Sequence, residues 1–319
     1  MLRFDMKTIL ILVAVLLSFI FIKAQNVSEL AAEKEFKQSY DKGVKYFFEG
    51  NILKAEENFQ TSLETKPDDL NTLKYLAEIS IANQSVSKIQ YYYEKVMKLN
   101  SNDEDALVSL GVINLQTGNF EKAEILLVKA VNNQPKNEQA LFNLSVLYEI
   151  KGEFPKAINT LEKLISINPL NSEYYQTIGL FYLAQSHYSS AEKNFLKALQ
   201  LNDNLIESKK GLIIVYQNQN KLKESLKYIN ELEVISPDIQ YLNILKAYQQ
   251  YLEGKIETAI KYALLEIKKH PEEPDAYYLI SDLYKINGDE LESRIYFEKA
   301  EKLNENYPGK MVYSLLNIK

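Results

Sequence analysis

The sequence predicts an all-α array of about eight helix-turn-helix units, each 34 residues long. Two observations carry that expectation: the chain repeats itself at a fixed interval, and like residues recur in columns that keep the interval. The stretches GNFEKAEILLVKAVNNQPKN (118–137) and GEFPKAINTLEKLISINPLN (152–171) share eight of twenty positions and begin 34 residues apart. A period of this size marks a repeat architecture and overrides the domain count that 319 residues would suggest.

Four columns extend the interval along the chain without insertion or deletion. One runs Ala55, Ile89, Ala123, Ala157, Ala191, Ser225, Ala259, Ser293; another runs Gly43, Ala77, Gly111, Ser145, Gly179, Ile213, Ala247, Ser281. Apart from Ile89 and Ile213 these residues are small, as they must be where two helix backbones approach closely. A third column, Gly50, Gln84, Gly118, Gly152, Ser186, Asn220, Gly254, Gly288, holds residues suited to closing a helix in a left-handed conformation. A fourth, with Pro67, Pro135, Pro169, Pro237 and Pro271, punctuates the end of each unit, because proline cannot donate within a helix. Between the columns, apolar residues recur at three- and four-residue spacing. Ala123, Leu126, Leu127, Ala130 and Val131 form one helical stripe, and Leu107, Leu110, Gly111 and Asn114 form another.

On these residues the chain resembles tetratricopeptide-repeat (TPR) proteins. The resemblance rests on Leu110-Gly111, the tyrosine column Tyr46, Tyr148, Tyr182, Tyr216 and Tyr284, and the alanine and proline columns. It implies a right-handed superhelical solenoid of about eight such repeats over residues 36–307. The aromatic early in the family's first helix is matched only loosely, and the chain has no tryptophan.

The resemblance further implies that first helices line a concave groove. Carried onto this sequence, the groove wall would comprise Tyr40, Val44, Phe47, Val108, Val112, Phe142, Val146, Leu180, Ile214, Ile244, Tyr248, Tyr251 and Tyr278. So apolar a wall suits a protein or peptide segment bound through its side chains. The carboxylate clamp of chaperone-binding members is not matched: Lys74 is followed by Glu78 and Lys210 by Ile214, where the clamp has asparagine.

The ends read differently. Arg3 and Lys7 precede an apolar run over 8–22, and Lys23-Ala24-Gln25 follows. Fifteen helical residues span about 22 Å, short of the roughly 30 Å hydrocarbon core, so residues 1–24 read as a secretory signal. The alternative is an uncleaved membrane anchor, and either way the remainder is exported, to the periplasm or the exterior. Residues 25–35 are expected to be a flexible linker. Residues 308–319, with Met311, Val312, Leu315 and Leu316, are expected to form a helix that caps the last repeat, as the end of a repeat array requires. Homo-oligomer formation through that segment stays open.

The remaining composition argues against chemistry. Net charge is −6, which disfavours a nucleic-acid footprint, and no cysteine is present for a disulfide, thiolate zinc site or nucleophile. The two histidines, His187 and His270, belong to no zinc-binding or triad motif, and no glycine-rich phosphate loop occurs. The acidic stretches at 102–105 and 271–275 sit where helices begin and oppose the helix dipole. No catalytic residue, cofactor or metal is therefore expected. In YYYEK (91–95), three consecutive helical tyrosines cannot share one face, so Tyr91 or Tyr92 should be exposed.

Overall fold

The computed structural model describes the backbone of residues 6–304 and Leu316, with side chains for Lys23, Gln25, residues 27–304 and Leu316. The expected signal or anchor at 8–22 lies outside the described side chains, and the expected capping helix lies outside the described residues except for Leu316. Two compact units divide the chain, residues 1–147 and 148–319. All described secondary structure is helical.

In unit 1 the helices are α1 (Met6–Phe48), α2 (Ile52–Thr65), α3 (Leu70–Ala82), α4 (Val86–Leu99), α5 (Glu104–Gln116), α6 (Phe120–Asn133) and the start of α7 (Glu138–Ile150). Unit 2 holds α8 (Phe154–Ile167), α9 (Ser172–Ala184), α10 (Tyr188–Leu201), α11 (Ile206–Asn218), α12 (Leu222–Ile235), α13 (Leu242–Leu252), α14 (Ile256–Lys269), α15 (Pro274–Asn287) and α16 (Glu290–Asn304). Within each unit, consecutive helices pack pairwise, and α9, α11, α13 and α15 also touch one another in a row. The stretch 25–35, expected as a linker, is helical and largely exposed within α1, which runs unbroken into the first pair.

The turn column behaves as its chemistry dictates. All eight positions have positive φ, including Gln84 (54°), Ser186 (58°) and Asn220 (57°). At each turn the next residue's N–H reaches back to the carbonyl five residues earlier, as in Asn119 to Asn114 at 2.8 Å and Lys221 to Tyr216 at 2.8 Å. This bond closes the helix and directs the chain into the antiparallel partner.

Glycines of the small-residue column meet a large side chain sixteen residues on. A Cβ at Gly43 would stand 2.7 Å from Phe59 Cδ1, at Gly111 2.7 Å from Leu127 Cγ, and at Gly179 2.7 Å from Phe195 Cδ1. Where this column turns bulky, at Ile213, a glycine stands two residues earlier. A Cβ on Gly211 would lie 2.4 Å from Phe195 Cζ, so fully buried Phe195 is wedged between α9 and α11. Ile213 itself is fully buried, while Ile89 is half-buried.

Helix starts follow a column too, then abandon it. Asp69, Asp103, Asn137 and Asn171 accept from backbone N–H groups of α3, α5, α7 and α9 at 2.8–3.1 Å. At the start of α13 the job passes to a distant carboxylate. Glu266 of α14, fully buried, accepts from Tyr241 N (2.7 Å), Asn243 N (3.2 Å) and Asn243 Nδ2 (3.0 Å). Tyr241 takes φ +70° there, and α13 has only 11 residues.

Two substitutions test these contacts. Overpacking costs about 1–3 kcal/mol, whereas alanine returns up to about 1 kcal/mol of helix propensity. Gly211→Ala should therefore destabilise unit 2 by about 1–2 kcal/mol in urea unfolding, because Phe195 has nowhere to move. Glu266→Gln turns an amide toward backbone donors and should cost about 1.5–3 kcal/mol. Hydrogen exchange at the start of α13 should rise first.

Candidate functional site

In unit 1 the end of α1 and the exposed face of α3 enclose a cleft of about 480 Å³. Its lining follows from helical spacing. Tyr40 and Phe47 lie seven residues apart on one stripe of α1, and Asn71, Lys74, Tyr75 and Glu78 form the facing stripe of α3. Tyr75 is the floor: it stacks on Phe59 with centroids 4.8 Å apart and rings 8° from parallel. It also meets Phe47 edge-on at 5.1 Å and Tyr40 at 6.2 Å. Phe48, 77% exposed, leans edge-on against Phe47 and forms an apolar lip.

The opposite rim is charged. Lys74 Nζ reaches Asp105 Oδ2 at 2.6 Å and Asp103 Oδ2 at 3.1 Å, which ties α3 to the start of α5. Burial alone would lower the Lys74 pKa, but the bonds from Asp105 and Asp103 outweigh it and hold the ammonium form above its usual range. Glu78 is pushed up, first by burial and then by the charge of Asp105, against a smaller opposing pull from Lys74. Burial likewise raises the Tyr40 hydroxyl. The cleft thus offers an aromatic floor, one apolar lip and one ionic rim: an arrangement that can seat an apolar side chain and orient a polar neighbour.

The other residues expected on the groove wall scatter. In unit 1, Val108 is buried, Val112 and Val146 are half-buried, and Phe142 is exposed. In unit 2, Leu180 is exposed and Tyr251 and Tyr278 are half-buried, whereas Ile214, Ile244 and Tyr248 belong to the core. Val108, Ile214, Ile244 and Tyr248 are therefore corrected from wall to interior: side chains this buried have no surface to offer an incoming partner. Tyr248 stacks on Tyr251 at 5.8 Å, and the Tyr278 hydroxyl donates to Glu301. Of the three consecutive tyrosines, Tyr91 is the exposed one, beneath Lys95 Nζ at 5.0 Å. Tyr75, Phe48 and Asn71 were not anticipated. Tyr75 stands one position off the column that marks the wall, and only its stacking on Phe59 brings it to the surface.

Comparison with known proteins fits this geometry. A family profile described as coatomer epsilon subunit matches residues 54–175, and one described as tetratricopeptide repeat matches 172–205 and 274–307. No curated protein matches the chain. Among solved structures, a tetratricopeptide repeat protein from Parabacteroides merdae ATCC 43184 aligns with a TM-score of 0.58 at 21% identity, covering 86% of this chain and 95% of its own. The MamA protein aligns at 26% identity and TM-score 0.50, over 54% of this chain and 93% of its own. PilW, a type IV pilus biogenesis factor, aligns at 18% and 0.52, over 66% and 96%.

The Glu78 carboxyl supplies a test of the rim. Its raised pKa means that ionisation costs the folded state. That cost is absent below 4.5, the ordinary glutamate value, and full once the pH exceeds the folded-state value. Glu78→Gln should be more stable than the parent at neutral pH, with the gain vanishing in acid, as read from paired urea midpoints.

Proposed function

The chain belongs to the tetratricopeptide-repeat family, and from that premise we propose an exported, non-enzymatic scaffold that binds a protein or peptide segment through its first-helix face. Helix-pair repeats of this family are interaction modules, and the fold similarities to other repeat proteins support the same coarse reading. The observation that carries the finer proposal is the cleft between α1 and α3, where Tyr40, Phe47 and Tyr75 present aromatic surface beside the Lys74–Asp105 rim. Binding there is burial of partner side chains against aromatic rings, with no chemistry performed on the partner. Export rests on the basic start and the apolar run 8–22, and the compartment after cleavage is the periplasm or the exterior.

A second reading keeps the apolar segment as a membrane tether that brings partners to an envelope membrane. It is favoured by α1, which continues from Met6 to Phe48 in one helix and would join the tether rigidly to the first pair. Intact mass of the mature protein separates the two readings: loss of about 24 residues removes the tether.

The binding face is tested with Phe48→Asp and Tyr75→Ala. Phe48 is so exposed that its replacement should leave the circular dichroism and unfolding midpoint unchanged. A partner captured by the parent from the native envelope should be lost from Phe48→Asp, with affinity falling at least about tenfold, or about 1.4 kcal/mol. An unchanged partner set for both variants would move the binding face away from this cleft.

A further inference from the structure

The inner row of unit 2 is closed where the same row elsewhere is open. Each first helix carries an inner position in the column Glu78, Val112, Val146, Leu180, Ile214, Tyr248. Glu78 is exposed and Leu180 is 37% exposed, yet Ile214 is buried and Tyr248 falls to 1%. A second inner column shows the same break: Asn71, Asp105, Glu173 and Glu207 are exposed, whereas Asp275 is 1% exposed. Most telling is α11, in which all ten residues 208–217 are buried. A helix covered by its repeat partners on one side alone keeps an exposed stripe; burial all round requires cover on the other side as well.

The second helices cannot be that cover, because the same pairing leaves α3 and α9 open along this row. One described residue beyond α16 shows what is. Leu316 is only 7% exposed and belongs to the same buried cluster as Ile214, Ile244 and Tyr248. Reach is sufficient: twelve residues separate Asn304 from Leu316, at most about 40 Å of extended chain. From α15 to α11 is two interhelical steps of about 10 Å each. The end face, by contrast, is left open. Phe297 is 48% exposed, although Phe59, Leu127 and Phe195 in its column are fully buried, and Leu291 is exposed beside it. An end-capping segment would have covered Phe297 first.

We propose that residues 305–319 occupy the inner face of α11, α13 and α15 as an intramolecular ligand, with Leu316 anchored against Ile214, Ile244 and Tyr248. Unit 2 then carries a peptide-binding face filled by the chain's own C-terminal segment, PGKMVYSLLNIK from Pro308 onward. That segment states the chemistry the face accepts: a short aliphatic stretch flanked by lysines, against a row that also carries Asp275 and Asp282. A partner of like sequence would bind there only by displacing it. This inference concerns unit 2 and stands or falls independently of the cleft in unit 1.

Hydrogen exchange on the full chain tests it without any substitution. Amides of 305–319 should exchange at least about tenfold more slowly than the intrinsic rate, and exchange at the intrinsic rate would overturn the proposal. In the full-length Leu316→Asp variant, protection of 305–319 should be lost. Oxidative labelling of Tyr248 and Tyr251 should rise, while exchange in α8 to α10 stays at the parental level. Leu316→Ala, a gentler change, should give the same pattern in part. A synthetic peptide of residues 305–319 should then bind Leu316→Asp and compete poorly for the parent chain. Equal binding to both chains, or to neither, would show that the segment is not the occupant of this face.

Discussion

Everything in this molecule hangs on how closely two antiparallel helices approach within a pair. Glycine in the first helix lets the backbone come down on a large side chain sixteen residues on, to a distance at which even a methyl group would collide with Phe59, Leu127 or Phe195. The close approach fixes which faces the helices turn to one another, and so which positions remain for the neighbouring pair. It also sets the loop: a helix packed this tightly against its successor must reverse in two residues. Only a left-handed residue followed by the back-reaching N–H makes that reversal while satisfying the last carbonyls. The 34-residue interval is the shortest statement of these requirements taken together.

Unit 2 shows how the constraint is met when a column fails. Ile213 cannot serve as the point of close approach, and Gly211 takes the ring of Phe195 from the following side. The capping column fails as well, with Leu205 and Tyr241 at the helix starts in place of Asp or Asn. For α13 the missing acceptor comes from Glu266, which buries a full carboxylate to satisfy three donors. A buried charge is tolerated only with such a set of partners. Its position ties the start of α13 to the middle of α14, a link that a local cap would not have made.

The fold was legible in the sequence because its determinants are local and repeated. The turn column in particular turned out left-handed at every position, Gln84 and Ser186 included. The face presented to partners was less legible. Val108, Ile214, Ile244 and Tyr248 occupy wall positions by register, but register says only which way a side chain starts, not what lies over it. The replacement cap at Glu266 was also invisible, since it joins residues more than twenty apart and obeys no period. Tyr75 escaped for the opposite reason: it is a neighbour of the wall column, raised to the surface by its stacking on Phe59.

The two binding faces differ in a way that bears on how each could work. The cleft in unit 1 mixes aromatic rings with a lysine held by two aspartates and a glutamate, and its exposed apolar area is small enough to stand in water without a partner. The inner row of unit 2 is built from Ile214, Ile244 and Tyr248; laid bare, it would be a contiguous apolar patch of the kind that drives association. Such a face needs an occupant at all times. A segment on the same chain meets that need at high effective concentration, and it sets a threshold any outside partner must exceed. A chain built this way can hold one face ready and the other in reserve, with the choice made by competition rather than by any change in the helices themselves.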